Sequence, residues 1–145
     1  MRARLLRLLC LLAVAAAPPA LAEGPGFQVV VNASNPAASV SRRQLSDMFL
    51  KKLTHWPDGT TVEPVEPPER SLTRAYFLSD VMGGKSALAL KTFWQKRVFS
   101  GRDTPPVEKG SDEEVVAFVK ANPGAIGYVS AAAAVGGVKV LEVKD

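Results

Sequence analysis

The sequence predicts an α/β domain with helices packed on a central sheet, and three observations carry that prediction. Short β-branched or apolar runs at Phe27 to Val31, Thr61 to Val65, Ala125 to Val129 and Val138 to Val143 have the length and composition of strands. Between them lie stretches with apolar residues at helical spacing, opened by serines at 41, 71, 86 and 111 that suit helix N-caps. The two kinds of segment alternate along the chain, which is the pattern of helices covering a sheet.

The first residues stand outside that fold. Met1 to Ala22 has the layout of a secretory signal: Arg2, Arg4 and Arg7, then the apolar run Leu8 to Ala17, then Ala20-Leu21-Ala22 as a small-x-small cleavage site. The apolar run is too short to span a bilayer, and Leu9 before Cys10 does not fit a lipoprotein signal. Residues 23–145 are then read as one domain with a sizeable core. The 145-residue chain carries 18 basic and 14 acidic residues for a net charge of +4. Three of those positive charges belong to the leader, so the remaining domain is near balance and nothing argues for nucleic acid. The one cysteine, Cys10, also falls in the leader, so no disulfide is expected even in an oxidising compartment.

The elements follow in order. Phe27 to Val31 reads as a buried strand broken by Asn32 to Pro36, and Asn32-Ala33-Ser34 is read as turn chemistry rather than a glycosylation site. Ser41 and Gln44 form a capping box, with Val40 stapled on Leu45, and Leu45, Met48, Phe49 and Leu53 give the first helix its buried face. A turn at Pro57-Asp58-Gly59 leads to the strand Thr61 to Val65. Ser71 opens a second helix to about Val81, with Leu72, Ala75, Tyr76 and Leu78 as the expected apolar stripe. Gly83-Gly84 ends it. Gly84-Lys85-Ser86 resembles the end of a phosphate-binding loop, but Ser79 stands where that motif needs glycine, so a Ser86 cap is the reading taken. The third helix, about Ala87 to Val98, places Leu90, Phe93, Trp94 and Val98 on one side. After a polar loop from Ser100 to Gly110, Ser111 and Glu114 predict a second capping box, with Asp112 and Glu113 favoured by the helix dipole. Val115, Val116, Phe118 and Val119 are that helix's buried face, and Asn122-Pro123-Gly124 stops it. Gly127 in the next strand marks a close approach by backbone or ligand. Ser130 to Val135 is expected to form one or two helical turns before Gly136-Gly137 and the last strand.

Two stretches together resemble the phosphate-type periplasmic solute-binding proteins of ABC transporters. Gln44 to Gly59, QLSDMFLKKLTHWPDG, is similar to that family's helix-to-turn segment, and Asn122 to Val129, NPGAIGYV, to its late strand. The resemblance implies a single lobe of a type II periplasmic binding protein fold, with a mixed central sheet and helices on both faces. It implies a phosphate or other oxyanion as ligand, no cofactor, and a membrane transporter, a sensor or a second copy as partner, in the periplasm or otherwise secreted.

The resemblance also bears on Val65 to Tyr76, VEPPERSLTRAY. The family's phosphate loop reads Arg-Ser-Asp-Gly-Ser-Gly-Thr after a strand, and Pro67 to Thr73 lies against it. Ser71 and Thr73 match its last serine and threonine. The arginine position holds Pro67 and the glycines hold Arg70 and Leu72, so Arg70 or Arg74 is the candidate guanidinium. The ligand-binding candidates are therefore Ser71, Thr73, Arg70 and Arg74, at a helix start whose free N–H groups favour an anion. Ser71 is equally read as a plain helix cap. An interaction module that kept the lobe and lost the ligand is the competing function. With one histidine, His55, and no cysteine after the leader, no set of nucleophile, base and orienting group is evident, so the protein is not expected to be an enzyme.

Overall fold

One mixed sheet of six strands organises the computed structural model, which describes residues 26–145. The strands are β1 (Phe27–Asn32), β2 (Ser39–Ser41), β3 (Glu63–Glu66), β4 (Val107–Glu108), β5 (Ala125–Ser130) and β6 (Val138–Lys144), in the order β2-β6-β1-β5-β3-β4. The leader predicted over residues 1–22 lies outside the described residues. β1 runs antiparallel to both β5 and β6, whereas β3 is parallel to β5 and β4, and β2 is parallel to β6. β2 and β4 are not foreseen by the sequence reading.

Helices α1 (Arg42–Phe49), α2 (Leu72–Asp80) and α3 (Ala87–Phe99) cover one face of the sheet, and α4 (Asp112–Ala121) covers the other. This explains why β1 reads as an unbroken apolar run. Val29 and Val31 enter the larger core with Leu45, Phe49 and Phe77, while Val30 joins Val115 and Val119 beneath α4. In the larger core Phe77 stacks on Tyr128 with ring centroids 3.8 Å apart, and Phe49 packs against both. Gly127 faces α4, where a Cβ would lie 2.8 Å from Val65 and 2.9 Å from Val115, so the close approach is by neighbouring side chains.

The Ser41 capping box is present in both directions, and Ser71, Ser86 and Ser111 each cap a helix through the side-chain oxygen. Four expectations need correction. Glu114 reaches past Ser111 to accept from the Gly110 N–H at 2.8 Å, so the second box is only half formed. The buried face of α2 is Thr73, Phe77 and Leu78, because Phe77 must stack on Tyr128; Leu72 and Tyr76 point to solvent instead. On α3, Leu90 and Trp94 are buried but Val98 is half exposed. Ser130 to Val135 is a turn rather than a helix: the Gln28 side-chain amide donates to the carbonyls of Ser130 and Ala133, which are then committed to a partner from β1.

Candidate functional site

At the C-terminal end of β3 the chain delivers Glu66, turns through Pro67-Pro68 and enters α2. The turn is closed by the Ser71 N–H donating to the Pro68 carbonyl at 2.9 Å. The Ser71 hydroxyl oxygen then accepts from the Arg74 N–H at 3.0 Å, which makes it a true N-cap. Among the described residues the N–H groups of Leu72 and Thr73 and the Thr73 hydroxyl have no hydrogen-bond partner within the chain. The start of α4 lies alongside. Pro67, Arg70, Ser71 and Thr73 share a depression of about 370 Å³ with Gly110, Ser111 and Asp112. Asp112 is already committed, accepting from the Ser130 hydroxyl at 2.7 Å and its N–H at 3.3 Å. Arg70 is exposed and has no acidic partner among the described residues.

Arg74 is placed apart from the other three sequence-predicted residues. Its guanidinium turns beneath the end of β3, where it meets Glu66 at 2.8 Å and Glu108 of β4 at 3.1 Å, and donates to the Pro67 carbonyl at 3.2 Å. The arginine is largely buried. The structure therefore brings Arg70, Ser71 and Thr73 together and uses Arg74 to tie two carboxylates to the helix.

Sequence reasoning did not single out Glu66, Glu108 or Tyr128. The Glu66 side chain is only 8% exposed and also accepts from the Tyr128 hydroxyl at 3.2 Å. Burial pushes its carboxyl from 4.5 up to about 7, against the pull of Arg74 and the Tyr128 bond. Tyr128 is likewise raised, first by burial and then by the facing Glu66 charge. No local signal marks these residues, because Tyr128 comes from a strand 62 positions away. His55 is exposed, with Nδ1 hydrogen-bonded to the Thr54 hydroxyl at 2.9 Å. Among the described residues no group of three His, Cys, Asp or Glu side chains could hold a metal ion.

Residues 25–141 match the family model of the PBP superfamily domain. The structure is similar to a phosphate ABC transporter substrate-binding protein from Clostridium perfringens, solved with bound phosphate, at TM-score 0.65 and 21% identity over 81% of this chain and 44% of that one. It is similar to an ABC-type phosphate transport receptor from Vibrio cholerae at TM-score 0.62 and 21% identity, over 81% of this chain and 46% of the receptor. PstS from Borrelia burgdorferi gives TM-score 0.61 at 14% identity, over 82% of this chain and 47% of that one. The chain thus spans less than half the length of each. No curated protein matches it significantly.

Proposed function

The chain belongs to the PBP superfamily domain family, and on that premise we propose that it is a non-catalytic, extracytoplasmic solute-binding lobe that contacts phosphate or another oxyanion at the start of α2. The observation that carries this reading is the first turn of that helix. Thr73, with its free N–H and hydroxyl, and the exposed Arg70 border one depression, the free Leu72 N–H belongs to the same first turn, and an anion there meets donors and the positive end of the helix dipole. The phosphate bound by the Clostridium perfringens protein supports the choice of ligand. Phosphate transport by the neighbours supports a membrane transporter as partner. Arg74 is left out of the contact set because its donors face Glu66, Glu108 and Pro67.

Calorimetric titration of the protein with phosphate and sulfate tests the proposal. Saturable binding should appear at millimolar ligand and weaken in Thr73→Val and Arg70→Ala. A folded sample that gives neither heat nor a thermal shift overturns it. One observation favours a second reading, an interaction module without a ligand: Leu72, 75% exposed, projects from the same first turn. Self-association or retention of an envelope partner that is lost in Leu72→Ser, with no response to either anion, is the outcome that reading requires.

A further inference from the structure

We infer that the cavity between α2, α3 and the segment 105–108 is a second ligand site, one that takes a small organic cation with an apolar body and a protonated amine at one end. The cavity has a volume of about 600 Å³, within the range of small-molecule sites. It shares no lining residue with the depression at Ser71, so the inference stands independently of the oxyanion reading.

The two ends of the cavity differ in chemistry. Leu78, Leu90, Trp94, Val98 and Pro106 supply an apolar wall, and Glu66, Glu69 and Glu108 supply the polar end with Arg74 between them. Arg74 has its donors directed to two carboxylates and a backbone carbonyl, so it has little left for an anion. Glu108 is 54% exposed and gives only one of its oxygens to Arg74. The other oxygen and the carboxylate of Glu69, which has no ion-pair partner among the described residues, are acceptors on the same cavity lining that suit an ammonium group. Lys91 is the other cation on the lining and is exposed on α3. Arg74 is turned to its carboxylate partners and Lys91 is exposed on α3, so the accessible charge at the polar end is that of Glu69 and Glu108. A carboxylate-bearing ligand of the same shape is repelled there, which sets the selectivity. Trp94 offers the apolar body an aromatic surface and a spectroscopic reporter.

The test is a titration of the purified protein with dansylcadaverine, an aromatic ring carrying a primary amine, beside dansyl-aminocaproate, its carboxylate counterpart. Energy transfer from tryptophan is followed. The amine should give saturable transfer, reduced in Trp94→Phe to what Trp56 alone supplies while anisotropy still detects binding, and the carboxylate should bind at least about tenfold more weakly. Glu108→Gln should reduce this preference several-fold, and Val98→Arg, at a half-exposed position, should block both probes while circular dichroism and melting stay as in the wild type. Added phosphate should leave amine binding unchanged. Absence of saturable binding, equal affinity for the two probes, competition by phosphate, or indifference to both Glu108→Gln and Val98→Arg overturns the inference.

Discussion

Glu66 sits where burial and charge oppose each other. Its folded pKa is raised from 4.5 to about 7, so between those values the native state holds a proton that the unfolded chain has released. Stability is then fully present below about pH 4.5 and is lost as pH rises through 7, by up to about 3 kcal/mol. Glu66→Gln cannot titrate, so its offset from the protonated wild type does not change with pH. The melting temperature of the variant relative to the wild type should therefore rise between pH 5 and pH 8; a gap that stays constant over that range removes the argument. Gly127 is governed by space. A Cβ there would lie 2.8 Å from Val65, 2.9 Å from Val115 and 3.3 Å from Val119, so Gly127→Ala should cost about 1–3 kcal/mol in denaturant unfolding. The glycine was readable in the sequence as a close approach, because a lone glycine in an apolar strand has few other uses. Glu66 was not, since nothing in its neighbours along the chain announces Tyr128 above it.

Helix starts are local devices and were therefore legible. At Ser41 the Gln44 N–H donates to the serine hydroxyl oxygen at 3.1 Å and the Ser41 N–H donates to the Gln44 side-chain carbonyl at 3.0 Å. Ser41→Ala should lower stability by about 1 kcal/mol, seen as an earlier denaturant midpoint with unchanged slope. No change in midpoint would mean that packing of Leu45 and Phe49 alone fixes α1. Helix faces are less local. In α2 the choice between Tyr76 and Phe77 for the core is made by the Tyr128 ring, so of the stripe Leu72, Ala75, Tyr76 and Leu78 only Leu78 is buried. The shortest strands are less local still. β4 has two residues and β2 three, too few to show alternation, and each exists because β3 or β6 offers it an edge. The same dependence hid the polar cluster, as Glu108 meets Arg74 only when β4 has joined the sheet.

Across the whole molecule, one sheet carries two cores, and the proposed anion contact lies at the edge where β3 feeds α2 and β4 feeds α4. That location puts the donors of the α2 first turn in a shallow depression rather than a closed cleft. A phosphate held on one side only keeps much of its hydration and meets Arg70 in solvent, so each charge contact is weak and screened. Affinity in the millimolar range, about −4 kcal/mol, is the expected scale. Raising salt from about 0.01 M to about 0.15 M shortens the screening length from about 30 Å to about 8 Å, and the phosphate affinity should fall several-fold, as read by titration at the two salt concentrations. Tight binding that ignores salt contradicts an open half-site. It requires a closed one, and sedimentation with and without phosphate then shows whether a second copy closes it, by a ligand-dependent gain in mass.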